Sequence, residues 1–130
     1  MLMRCFYVSA IADGLTDVQV QVILGEAQVN NRRLDVTGML AQSDGHFAQV
    51  LEGRADAVGA PMERIGRDRR HHDVRVLLNE PIVRRQFSHW AMVLLRRDDC
   101  AERMRQLHAE GCTDAEHAQR LIDTLMASVG

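Results

Sequence analysis

The chain has no lysine: all 16 of its basic residues are arginine. Schiff-base chemistry and a phosphate-loop lysine are therefore excluded, and the plain reading of the bias is codon composition. It lacks an excess of either charge, with a formal net of -2. That excludes the strongly basic footprint of a generic nucleic-acid binder. No apolar run approaches the roughly 20 residues that span a bilayer, and no basic, apolar leader opens the chain. Cysteines number only 3, with no C-x-x-C spacing, so reduced thiols and a cytoplasmic setting are expected. Prolines number only 2, Pro61 and Pro81, and each marks a place where regular structure should be disturbed. What is present suffices for one core: 130 residues, 46% of them apolar.

The order of elements is legible. Residues 2–9 read as a strand. Thr16 and Gln19 make a capping box that starts a helix near Asp17 and carries it to about Arg33. Residues 37–43 and 46–52 read as strands joined at Asp44-Gly45. Gly53 should end the second of these, and a helical stretch follows to about Arg67. Gly59 and Pro61 should delay that helix to near Ala60 or kink it. Residues 73–79 read as a fourth strand, interrupted at Pro81, and 89–95 as a fifth. The fold class is thus α/β (α+β): a ferredoxin-like βαββαββ order with a five-stranded sheet and two helices on one face. Residues 1–97 form this domain and 98–130 a helical extension. In the extension, 99–109 make a helix ending at Gly111. Thr113 and Glu116 then cap a second, with Ala115, Ala118, Ile122 and Leu125 at helical spacing.

Two surfaces carry more apolar residues than a simple two-layer fold needs. The first helix has one stripe at Val18, Val22, Gly25 and Val29. A second lies at Val20, Ile23, Leu24 and Ala27, with Asn31 in line. One stripe suffices to lie on a sheet. The other is covered by the second helix or by an apolar ligand between the helices that the asparagines orient. In the sheet, Met3, Cys5 and Tyr7 share a face, as do Phe47, Gln49 and Leu51, and Trp90, Met92 and Leu94. Phe6, Val8, Ala48, Val50, Ala91, Val93 and Leu95 oppose them. That opposite face needs the tail helices, a second subunit, or both. Gln49 and Tyr7 are polar exceptions on apolar strands, and a mutual hydrogen bond is one way to satisfy them. The run Arg69-Arg70-His71-His72-Asp73 reads as a solvated turn rather than a metal site, because adjacent histidines point different ways. Cys100 and Cys112 read as packing or surface residues.

Four segments in register resemble the BLUF domain, the flavin-binding blue-light sensor family. They are RCFYVSA, ILGEAQVNNRRLDVTGMLAQSDGHFAQVLEG, IGRDRRHHDVRVL and FSHWAMVLL, within residues 2–95. The last resembles the family's R-x-F-x-x-W-x-M strand, with Gln86 directly before the phenylalanine. The resemblance implies FAD, or FMN, held between the two helices. It implies that Tyr7 is the electron-donating tyrosine and Gln49 the bridging glutamine. It implies that Asn31, with Asn30 beside it, holds the polar edge of the ring, and that Met92 and Trp90 are switch residues. Ile23 and Ile65 would touch the ring. Arg64, Asp68 and His71 would neighbour the ribityl and phosphate groups. On this reading the chain is a sensor and not an enzyme. With no output domain expected after the core, its signal would pass through a homo-oligomer or to a separate downstream protein. A ferredoxin-like interaction module without flavin, and an acylphosphatase-like enzyme, are the alternatives. The enzyme is disfavoured because SAIADG offers no arginine-bearing phosphate cradle after the first strand.

Overall fold

A computed structural model of the chain describes residues 1–88, 90–111 and 115–127. Five strands and four α-helices follow in the order β1 (Leu2–Ile11), α1 (Asp17–Leu34), β2 (Thr37–Ser43), β3 (His46–Arg54), α2 (Ala55–Arg67), β4 (His71–Ile82), β5 (Val93–Arg96), α3 (Ala101–Glu110) and α4 (Ala115–Ala127). The sheet order is β4-β1-β3-β2-β5. All neighbours are antiparallel except β2 and β5, so the sheet is mixed. This is the expected ferredoxin-like βαββαββ fold with a helical tail. No helix among the described residues is long and apolar enough to cross a membrane.

The Thr16–Gln19 capping box forms as read, and α1 ends at Asp35 in a left-handed conformation. Several boundaries differ from the sequence reading. Gly53 does not end β3, which runs on to Arg54. Helix α2 begins at Ala55, not near Ala60, with Pro61 inside it. Proline there removes one intrahelical bond. The first turn holds regardless, because Val58 is buried in the core and the Ala55 amide donates to the Met1 carbonyl at 3.1 Å. Pro81 does not interrupt β4 but pairs with Met3 within it. An edge strand tolerates proline because half of its N–H groups face outward.

The fifth strand is shorter than expected, Val93–Arg96 rather than 89–95. The carbonyls before it are taken by other partners. The Gly38 amide donates to the Trp90 carbonyl at 3.0 Å. Asn31 Nδ2 donates to the Ala91 carbonyl at 2.9 Å and Gln28 Nε2 to that of Met92 at 3.2 Å. Gly38 itself is required, since a Cβ there would lie 2.0 Å from the Val50 carbonyl oxygen.

Each sheet face has its own core. Helices α1 and α2 bury Cys5, Leu40, Phe47, Leu51 and Met92 together with Val20 and Val58. The tail helices cover the other face with Met104, Leu107, Ala118, Leu121, Ile122 and Leu125. Ala115, placed on the buried stripe by the sequence, is exposed. Cys100 is buried in this second core. The capping residue Thr113 and Cys112 lie outside the described residues. Phe6, Val8, Ala48 and Val50 are each 0% exposed within the single chain. The expectation of self-association rests on that face being too wide for the tail; the tail covers these four residues, while Val93 and Leu95 of the same face stay half-buried.

A buried ion pair ties the two layers together. Glu52, fully buried, accepts from Arg4 Nε at 2.9 Å and from the backbone amides of Gln86 and Phe87 at 2.9 and 2.7 Å. Arg4 in turn donates to Gln119 of α4 at 3.1 Å.

Candidate functional site

Helices α1 and α2 stand apart over the middle of the sheet and leave a cleft between them. Its floor is β1 and β3. Tyr7 and Gln49 are direct cross-strand partners in the antiparallel register, which is why residues 42 apart in sequence meet here. Ile23 and Ala27 of α1 and Ile65 of α2 form apolar walls, with Leu40 and Phe47 below. Asn30 and Asn31 add amides on the α1 side, and Arg64, Asp68 and His71 close the α2 end.

The polar floor is a directed chain. Tyr7 Oη donates to Gln49 Oε1, and Gln49 Nε2 donates to Met92 Sδ at 3.5 Å. The amide's orientation follows from its partners: a thioether sulfur only accepts, so the NH₂ must face it and the carbonyl must face the phenol. All three side chains are buried. Burial raises the Tyr7 pKa far above the ordinary phenol value, and the charges of Cys5, once ionised, and of Asp68 add to it. Tyr7 is therefore a neutral donor at any physiological pH. Cys5, next but one on the same strand face, is pushed up to about 11 by burial and stays a thiol.

The α2 end is more constrained than the sequence suggested. His71 Nε2 faces the Ile65 carbonyl at 2.8 Å and Nδ1 faces Ser9 Oγ at 2.7 Å. A carbonyl cannot donate, so Nε2 carries a proton, and Nδ1 pairs with the serine hydroxyl. Both nitrogens are used within the chain, so His71 offers the cleft only its ring, edge-on to Tyr7 and Phe47. Asp68 is likewise engaged. Arg70 contacts it through Nε at 2.9 Å and Nη2 at 2.6 Å, and reaches across to Glu26 of α1 at 2.9 Å. The Arg70 guanidinium holds the Asp68 carboxyl below its usual range despite partial burial. This Glu26–Arg70–Asp68 bridge spans the mouth of the cleft.

The run read as a solvated turn is thus only partly so. Arg69 and His72 are exposed, whereas Arg70 and His71 are structural. Of the expected site residues, Tyr7, Ile23, Asn30, Asn31, Gln49, Arg64, Ile65, Asp68 and His71 line the cleft, and Met92 abuts Gln49. Trp90 does not join them. It packs against the tail-side core, because residues 90–92 are outside the strand and need not alternate. The apolar stripe Val18–Val29 also faces away from the cleft, which Ile23 and Ala27 of the other stripe line instead. The sequence reading missed Glu26, Gln28, Phe47 and Arg70. Gln28 lies three residues before Asn31 on one helix face, a signal that was present. The Glu26–Arg70 pair left none.

The residues fit a planar heteroaromatic group with a polar edge. The walls are apolar, and Asn30 makes no side-chain hydrogen bond among the described residues. Comparison with known proteins agrees. Residues 2–93 match the family described as "BLUF: Sensors of blue-light using FAD". The blue light- and temperature-regulated antirepressor BluF of Escherichia coli (strain K12) is 32% identical over 94 residues, 72% of this chain and 23% of that protein. The dark-state structure of BlrB, a BLUF protein, superposes with a TM-score of 0.82 at 28% identity, covering 98% of this chain and 96% of that one. Klebsiella pneumoniae BlrP1 with FMN and cyclic diGMP gives a TM-score of 0.74 at 27% identity, covering 100% of this chain and 36% of that one. The chain spans less than a quarter of the length of the curated relatives it matches. With the family profile covering most of its length and the cleft built from the residues that profile spans, the chain belongs to the BLUF family of blue-light sensors.

Proposed function

We propose that this chain is a blue-light photoreceptor that holds FAD, or FMN, in the α1–α2 cleft and signals through the Tyr7–Gln49–Met92 chain. The observation that carries the reading is the directed hydrogen-bond chain on the cleft floor, with a buried amide between a donor and a pure acceptor. The family description names FAD, and the BlrP1 structure contains FMN in a relative. A bound flavin supplies, on absorbing blue light, a strong one-electron oxidant, which is chemistry the protein itself lacks.

In this reading Ile23, Ala27 and Ile65 grip the ring plane, and Asn30 and Asn31 orient its polar edge. Tyr7 is the buried donor. With a bound flavin as electron acceptor, Tyr7 would give up one electron and its Oη proton would follow to Gln49 Oε1 along the existing hydrogen bond, because burial makes the phenol radical cation costly. When the electron and the proton had both returned to Tyr7, the amide would be left reversed. Reversal sets Oε1 against Met92 Sδ, two acceptors facing each other, and the thioether must withdraw. Residues 90–92 are held by the amides of Gln28, Asn31 and Gly38, so displacement of Met92 pulls on α1 and β2. The signal leaves through that segment to a downstream protein or through an assembly of copies. The chain is a sensor without substrate turnover.

The test is the absorption spectrum of the purified chain before and after blue light. Flavin bands that shift to the red and recover in the dark are expected. Gln49→Leu should retain the flavin and lose the shift. A protein still colourless after incubation with excess FAD would be an interaction module instead.

A further inference from the structure

We propose that α1 is the contact surface between two copies of this chain, packed antiparallel about Gly25. Val18, Val22 and Val29 are 73%, 49% and 56% exposed, the largest apolar exposure on any helix of the described residues. With Gly25 they form one line along α1, at spacings of four, three and four residues. The sheet and the cleft are served by the other side of the helix, through Val20, Ile23, Ala27 and Asn31. Nothing among the described residues uses the exposed line.

Gly25 points the same way. Glycine inside a helix is disfavoured relative to alanine. A Cβ at Gly25 would meet nothing within 4 Å, so the chain's own packing does not call for its absence. What a missing Cβ permits is close approach by a backbone from outside. Gly25 stands at the middle of Asp17–Leu34. A helix that crosses a copy of itself at its own midpoint is self-complementary under a two-fold axis. Val22 then meets the partner subunit's Val29, and the reverse.

Charge selects the antiparallel direction. At about 100° per residue, Asp17 and Arg32 lie on the same flank of the stripe, one at each end. Arg32 has no ion pair among the described residues, and Asp17 has only an exposed one with Arg96. Antiparallel packing sets Arg32 against the partner subunit's Asp17 and opposes the helix dipoles. A helix roughly 27 Å long presents a footprint well below the roughly 800 Å² per side of a stable complex. The association is therefore weak and concentration-dependent. The neighbouring face of this helix carries Gln28 and Asn31, so the contact adjoins the residues that hold Met92.

Sedimentation equilibrium of the full chain, from micromolar to millimolar, tests this. A monomer–dimer equilibrium is expected, and Val22→Asp should weaken it at least tenfold. Gly25→Glu and Gly25→Lys, made separately, should each abolish dimerisation without lowering the melting temperature of the dilute protein, since the site is open in the monomer. Mixing those two variants should restore a dimer, because a residue on the two-fold axis faces its own copy. A monomer at every concentration would overturn the proposal. So would a dimer indifferent to these substitutions, or a mixture that stays monomeric.

Discussion

Replacing Glu52 by glutamine keeps the side chain's volume and removes its charge. In the structure its Oε2 takes two nitrogens of Arg4 at 2.9 Å, and its Oε1 takes the Gln86 and Phe87 amides. A glutamine carries one oxygen and one NH₂, so it can serve either Arg4 or the loop, and its NH₂ then confronts a donor. Breaking one side of a buried pair costs about 3–5 kcal/mol. Arg4 keeps Gln119 at 3.1 Å and a marginal Glu80 at 3.9 Å, so about 2–4 kcal/mol is expected. For a domain of this size that lowers the melting point by about 8–15 °C. The double variant Arg4→Met/Glu52→Leu discriminates further. A simple buried pair can be exchanged for apolar residues almost without loss. Here the exchange still orphans two backbone amides of residues 86 and 87, at about 1–3 kcal/mol each when buried. The double variant should therefore remain clearly less stable than the parent in thermal melts followed by circular dichroism. If it matches the parent, or if Glu52→Gln shifts the midpoint by less than about 2 °C, the anchoring role of Glu52 is wrong.

Met92→Leu removes, at nearly constant volume, the one acceptor that Gln49 Nε2 has among the described residues, so stability should change by less than about 1.5 kcal/mol. The flavin-loaded dark spectrum and its recovery time should change, and an unaltered photocycle would show that the sulfur does not orient the amide. Gly38→Ala drives a Cβ into the Val50 carbonyl, so it should cost several kcal/mol and lower the yield of folded protein, with a parent-like melt refuting the close approach. His46 faces His108 and Arg105 of α3 and Asp44 of its own turn, with the two imidazole rings 5.0 Å apart. Burial, then His108, lowers its pKa below the usual 6.5. The folded state thus binds fewer protons than the unfolded one, and stability should fall as pH drops below about 6.5. His46→Gln should flatten that fall in melting temperature, and an identical pH profile would count against it.

Much of the architecture was legible because local signals agreed with one another. The Thr16–Gln19 box, the Asp44-Gly45 turn and the alternation of β1 and β3 each have a short-range physical cause, and each is found in place. The errors fall where distant partners decide. Helix α2 starts early because Val58 has a core to enter, and Pro81 is harmless because β4 lies at an edge. Neither fact is written near the residue concerned. The buried Arg4–Glu52 pair spans 48 positions and left no periodic trace.

In the site, strand parity was the strongest guide and also the source of the main misplacement. Parity put Tyr7 and Gln49 on one face, and the antiparallel register made them neighbours. The same parity grouped Trp90 with Met92. The grouping fails because side-chain amides on α1 capture the Ala91 and Met92 carbonyls before the ladder with β2 begins at Val93. A segment held by side chains is freer to move than one held by a ladder, since each tether can lengthen independently. Met92 sits in such a segment while touching Gln49, whereas a methionine inside β5 would be fixed by its neighbours. The departure from regular strand geometry at residues 90–92 therefore falls where the proposed switch needs mobility, and Trp90, turned to the tail-side core, places the far end of that segment against the surface that α3 and α4 cover.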